Sequence, residues 1–371
     1  MAALIACLTL TAAHSVDSLP LHRELPDPLR FSGGDKVCSP SDWPRRRGEM
    51  LGLVLGYEYG RVPPPPGNVR VVKELESREP PHPGFGHRSL SMVMGPEDQI
   101  ATIVHFYVPA QGAAPYPVVV RFGLDASPAP QLTGRGYAYA CFNHELLDPD
   151  TEGGDVVGAA QAAYPDYDWG SLAVWAWGAC RILDWLETVP EIDAKKSVIT
   201  GHSRTGKTAL LAGALDERWA IVAPNGSGCG GASLFRGTEK GAETLELITL
   251  PSRFKSWFKD DFGRFAGKEA YLPFDQHFMR ALVAPRVLIS TDALGDTWAN
   301  PPGTQRAWTT AQPVFDFLGV PEHNLCHFRE GGHDQLDTDY AVLLDVANWN
   351  FRGRPLERDF RARPLAESEE Q

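Results

Sequence analysis

Residues 195–215 hold, in one stretch, an apolar strand (KKSVITG), a glycine-bounded turn (HSRTGK) and a helix-period run (TALLAGAL). A strand that passes through so tight a turn into a helix is a building block of parallel sheets, because the helix must carry the chain back across the sheet. The rest of the chain repeats the pattern. PVVVRFG at 117–123 and YAYACFN at 137–143 are continuous apolar runs of the kind buried on both faces of a sheet. SLAVWAWGACRILDWLETV follows at helical spacing. After the central turn come AIVAPN, a long insertion, RVLIST, a helix, NLCHFRE and a final helix. This alternation predicts an α/β fold, a three-layer sandwich around a doubly wound, mostly parallel sheet.

The ends of the chain read differently. Residues 69–110 alternate as antiparallel strands (VRVVKELESR, LSMVMG, IATIVHFYVPA), and they form one edge of the expected sheet. Residues 16–68 are rich in proline, glycine and charge, with PPPP at 63–66, and are expected to lie as an extended arm over the domain. The catalytic domain is placed at 69–355 and a polar tail at 356–371. At the front, Ala2–Ala13 is an apolar run ending in small residues, which reads as a remnant of a secretory signal in residues 1–15 and predicts a secreted or periplasmic protein. The run is too short for a membrane span.

Composition narrows the partners. A formal charge of −12 argues against nucleic acid, whose phosphates require a basic surface. The ten tryptophans, among them Trp169, Trp175, Trp177 and Trp185, are expected in the core. The six cysteines Cys7, Cys38, Cys141, Cys180, Cys229 and Cys326 fix no pairing by their spacing. His323 and His327 are four apart in a strand, not a helix, so no metal is expected.

Gly201–Thr208 fits two motifs. As G-x-x-x-x-G-K-[ST] it is a phosphate-cradling loop of a nucleotide hydrolase, with Lys207 on the phosphates and Asp292 on magnesium. As G-x-S-x-x-G it is a nucleophile elbow presenting Ser203. Three bulky or polar side chains, His202, Ser203 and Arg204, crowd a turn whose backbone would have to close round an anion, which counts against the first. For the second, the partners of a serine nucleophile should follow later strands in the order acid, then histidine. The loop after RVLIST offers Asp292 and Asp296, with Asp296 preferred, and the loop after NLCHFRE offers His333. His333 would take the serine proton, the acid would hold its tautomer, and the Arg204 N–H and guanidinium would meet the oxyanion. Lys207, one helical turn beyond Ser203, either reaches an anionic or polar substrate group or pairs with an acid such as Glu243. His202 and His277 are expected to be structural.

With GHSRTGK in place, the chain resembles the glucuronoyl esterases, carbohydrate esterase family 15, in particular the bacterial branch. ELPDPLRF, WAWGACRILDWLE, GHSRTGKTALLAGALDERWAIVAPNGSGCGG, PFDQHFMRALVAPR and DTWANP all look like segments of that family. The resemblance implies an α/β-hydrolase that works without cofactor and cleaves the esters between (4-O-methyl) glucuronic acid on xylan and lignin alcohols, and a monomer is expected. It implies Ser203, His333 and Arg204 in catalysis, and Lys207, Glu243 and Trp298 on the sugar. Some members carry a glutamate after the strand that follows the nucleophile helix. The matching residue here is Gly226, which leaves Asp296 as the acid. An esterase of the same fold acting on acetylated xylan or another carbohydrate is the alternative.

Overall fold

A computed structural model describes residues 15–76, 82–151 and 157–365. The proposed leader lies outside them. Among the described residues nine strands form one sheet, in the order β1-β2-β3-β5-β4-β6-β7-β8-β9 when numbered along the chain. The strands are β1 (Arg70–Leu75), β2 (Phe85–Met94), β3 (Ile100–Pro109), β4 (Tyr116–Phe122), β5 (Ala138–Phe142), β6 (Ile192–His202), β7 (Ile221–Asn225), β8 (Val287–Ala293) and β9 (Asn324–Arg329). β1, β2, β3 and β5 pair antiparallel, and β5-β4-β6-β7-β8-β9 pair parallel. The helices are α1 (Trp43–Val54), α2 (Ala129–Gly134), α3 (Ala159–Ala163), α4 (Ser171–Leu186), α5 (Arg204–Leu215), α6 (Leu245–Ile248), α7 (His277–Ala281), α8 (Pro301–Phe317) and α9 (Asp337–Arg352). None of them is long and apolar enough to cross a membrane.

Successive residues of the central strands feed two cores, as the two-residue period of a strand requires. Val118 and Val120 of β4, Ile199 of β6 and Val222 of β7 join α4, α5 and α7 on one face. Val119, Val198 and Ile221 pack with α9 on the other. That is why these strands read as unbroken apolar runs. Helix α4 is buried along nearly its whole circumference, and Trp169, Trp175, Trp177 and Trp185 all lie in the larger core.

Residues 16–68 are not simply an extended arm. They contain α1, whose Trp43, Met50 and Val54 enter the larger core with Tyr59 just beyond. Three arginines and two glycines in WPRRRGEMLGLV conceal a heptad-like spacing at 43, 47, 50 and 54. The stem of Arg47 is buried there, and its guanidinium donates to the carbonyls of Leu282 (3.0 Å) and Ala214 (2.6 Å). The described residues beyond α9 are also tied down: Phe360 is buried in the smaller core, and Leu365 O accepts from Gln305. The five described cysteines carry free thiols.

Candidate active site

The carboxyl ends of β6, β7, β8 and β9 lie side by side, which brings together residues more than a hundred positions apart. β6 ends at His202, and the chain turns at Ser203 with φ 56° and ψ −122°, a left-handed conformation that projects the side chain from the sheet edge. Two glycines permit the turn. A Cβ at Gly201 would stand 2.2 Å from Thr205 O, and one at Gly206 would stand 2.8 Å from Asn225 O. Ser203 N donates to Asn225 O at 2.9 Å, which pins the elbow to β7.

His333, on the loop after β9, presents Nε2 2.9 Å from Ser203 Oγ and Nδ1 2.6 Å from Asp296 Oδ2. Asp296 is buried, and its other oxygen accepts from Ala299 N at 3.1 Å. Its orientation is therefore set by the turn that carries it. In this arrangement His333 Nδ1 bears the proton, Nε2 is the acceptor, and the serine hydroxyl has a base in reach. Asp292 stands elsewhere: β8 runs on through Ala293, so Asp292 is a strand residue and not a loop residue. Burial pushes its carboxyl up to about 7, against the opposing pull of Arg280.

Arg204 opens α5, where the first N–H groups of a helix have no intrahelical acceptor and face an incoming anion. Its guanidinium is half exposed, pairs with Asp150 and lies 5.3 Å from the centre of the Trp257 ring. Asp150 in turn accepts from Trp257 Nε1 at 3.0 Å. Asp150 and Trp257 come from two long insertions whose sequence carries no periodic signal, and sequence reasoning missed both.

Of the two roles open to Lys207, the structure shows the ion pair with Glu243: Nζ donates to Glu243 Oε2 (2.6 Å), Ser227 O (2.7 Å) and Cys229 O (2.6 Å), and the side chain is buried. Three acceptors use all three ammonium hydrogens. The same geometry removes the lysine from any phosphate cradle. Glu243 is buried beside it, and its carboxyl is pushed up by burial while Lys207 opposes the shift. Glu243 N donates to Trp298 O at 2.9 Å, so Lys207, Glu243 and the half-buried Trp298 form one unit next to the Asp296 turn. Gly226 directly follows β7, and a Cβ there would lie 3.6 Å from Asp296 Oδ2. Among the described residues no cluster of histidine, cysteine and carboxylate side chains could hold a metal ion. His323 Nδ1 instead bonds Pro285 O at 2.6 Å, and His277 Nε2 bonds Pro26 O at 2.8 Å.

A serine elbow after β6, an acid after β8 and a histidine after β9 of a mostly parallel sheet define an α/β-hydrolase with a serine-histidine-aspartate relay. Comparison with known proteins narrows the class. The family profile described as glucuronyl esterase, fungi, matches residues 93–319. A carbohydrate esterase, MZ0003, from an unknown prokaryotic organism is 31% identical over 89% of this chain and 90% of its own length. The 4-O-methyl-glucuronoyl methylesterase 1 of Wolfiporia cocos is 29% identical, over 89% of this chain and 85% of its own. A carbohydrate esterase family 15 glucuronoyl esterase from Caldicellulosiruptor kristjansonii superposes with a TM-score of 0.83 at 32% identity, covering 95% of this chain and 96% of that one. The chain belongs to the glucuronoyl esterase family, carbohydrate esterase family 15.

Proposed function

We propose that this protein is a serine esterase that hydrolyses esters of (4-O-methyl) glucuronic acid on xylan and releases lignin-type alcohols. The observation that carries the reading is the continuous relay from Ser203 Oγ through His333 to Asp296. As Ser203 Oγ attacks the ester carbonyl carbon, His333 Nε2 takes the hydroxyl proton. The carbonyl oxygen becomes an oxyanion facing the Arg204 N–H and guanidinium. Collapse breaks the bond to the alcohol oxygen, which leaves with the proton from His333. Water then gives a proton to His333 and attacks the acyl-serine, and return of that proton to Ser203 Oγ frees the uronic acid.

The sugar ring is assigned to Glu243 and Trp298, with Lys207 acting through its ion pair. Lys207 opposes the effect of burial on the Glu243 carboxyl, which is assigned as an acceptor for ring hydroxyls. The domain at 69–355 is assigned the chemistry as a monomer, with residues 16–68 packed on it and the segment after 355 held to it at Phe360 and Leu365. The apolar run Ala2–Ala13 supports export.

Benzyl glucuronate and an aryl acetate, each with and without a serine-reactive phosphonate, test the assignment. Phosphonate-sensitive release of benzyl alcohol is expected. Cleavage of the acetate alone would overturn the substrate and leave the serine chemistry standing.

A further inference from the structure

A second histidine stands against the first. The ring centroids of His202 and His333 are 4.6 Å apart with planes inclined at 47°. His202 is not held by that contact alone. Register in the parallel sheet sets His202 of β6 beside Asn225 of β7, and Asn225 beside Thr291 of β8. Asn225 Nδ2 donates to Thr291 O (3.2 Å) and Thr291 Oγ1 (2.8 Å), and Asn225 Oδ1 lies 2.6 Å from His202 Nδ1.

This row fixes a tautomer. A backbone carbonyl only accepts, so the Asn225 group facing Thr291 is its NH2, and Oδ1 must face His202. His202 Nδ1 therefore carries the proton and donates it. The backbone is pinned as well, since His202 N donates to Thr205 Oγ1 at 3.0 Å. The ring also lies close to the His333–Asp296 bond: a Cβ at Gly226 would be in ordinary contact with both, 3.4 Å from His202 Cε1 and 3.6 Å from Asp296 Oδ2, so the two groups flank one point beside β7.

The charged and titratable groups felt by His202 are His333, Arg121 and Asp296. Burial is the largest influence and holds its pKa below the usual histidine value, with Asn225 opposing. A neutral ring adds no repulsion when His333 takes up the serine proton.

We propose that His202, tethered through Asn225 to Thr291, is a positioning residue that braces the His333 ring between Ser203 and Asp296. The proposal rests on His333 being the base, so Ser203→Ala serves as the control. Three variants test it: His202→Ala removes ring and tether, His202→Phe keeps a ring, and Asn225→Ala cuts the tether alone. With benzyl glucuronate, His202→Ala is expected to lower kcat about tenfold or more with KM within about twofold, since a displaced base slows chemistry and not binding. His202→Phe is expected to recover kcat to within about threefold of the parent, and Asn225→Ala to fall between them. In proton NMR spectra, the low-field resonance of His333 Nδ1–H is expected to persist in His202→Phe and to exchange away in His202→Ala.

Parent-like kcat in His202→Ala, or no difference between the Ala and Phe variants, would overturn the proposal. If His202→Ala does not fold, the pair His202→Phe and Asn225→Ala decides: a folded Asn225→Ala with parent kcat and an unchanged low-field resonance overturns it. Activity that survives Ser203→Ala would instead overturn the esterase reading beneath it.

Discussion

Asp296 is the residue on which the relay turns. Its Oδ2 holds His333 Nδ1 at 2.6 Å. Asp296→Asn presents an amide that stabilises the wrong imidazole tautomer, and turnover of benzyl glucuronate is expected to fall about 10⁴-fold with the circular dichroism spectrum unchanged. A variant with near-parent kcat would remove Asp296 from the mechanism. The space beside it is open to a substitute. Because a Cβ at position 226 would lie 3.6 Å from Asp296 Oδ2, adding Gly226→Glu to the Asp296→Asn variant is expected to recover turnover by about tenfold. The backbone there, at φ 48°, costs a side chain about 1–2 kcal/mol, so the recovered variant should also melt earlier. Ser203, His333 and Asp296 were legible because each follows an apolar strand, and strand ends can be read from periodicity. For Lys207 the pair with Glu243 was one of two readings, and pattern could not choose between them, because its acceptors, Ser227 O, Cys229 O and Glu243, come from a segment without periodic pattern.

At the scale of elements, the elbow and the first helix make opposite cases. The elbow is readable because its constraint is local: Gly201 and Gly206 are required where the helix start folds back on the strand. Gly201→Ala forces a methyl to within 2.2 Å of Thr205 O, and a backbone atom cannot swing aside as a side chain can. Loss of soluble, active protein is expected, and normal expression with normal kcat would show that the turn is looser than this. Helix α1 hides because what stabilises it is distant. Arg47 looks like a solvent-facing residue until Leu282 and Ala214 supply carbonyls for it, and Met50 is fully buried against the same core. Met50→Ala is expected to destabilise the fold by about 2–5 kcal/mol in urea denaturation while kcat/KM of the folded fraction is unchanged. A cost under about 0.5 kcal/mol would mean that residues 16–68 are a detachable arm after all. The nine strands of the described residues, by contrast, were each readable, although β2 begins at Phe85, five residues before LSMVMG, and β6 at Ile192, three before KKSVITG. Where β8 runs two residues beyond RVLIST, the extension turned Asp292 from a candidate loop acid into a core residue.

Across the whole molecule, buried carboxyls and buried histidines act in opposite directions on stability. Burial lowers His144 and His277 to about 4. The unfolded chain protonates these histidines below about 6.5 while the folded chain does not, so stability is lost as pH falls from 6.5 toward 4. Burial raises Asp148 to about 6 and Asp292 to about 7. Here the folded chain keeps protons that the unfolded chain has released, so stability is lost as pH rises from about 4 toward each raised value. Between pH 4 and 6 the two sets offset one another, and the parent protein is expected to show a shallow dependence of Tm on pH. Asp292→Asn removes one of the raised carboxyl contributions, because an amide does not titrate. The stability of the variant relative to the parent should therefore increase from pH 4 to pH 7, by at most about 4 kcal/mol for a shift of about three pH units. Urea denaturation of both proteins at pH 4, 5.5 and 7 measures the difference. A constant offset across that range would place the Asp292 titration outside it. At pH 7 the same variant is expected to keep turning over benzyl glucuronate where Asp296→Asn does not, since Asp292 enters the fold from within β8 and Asp296 enters the relay.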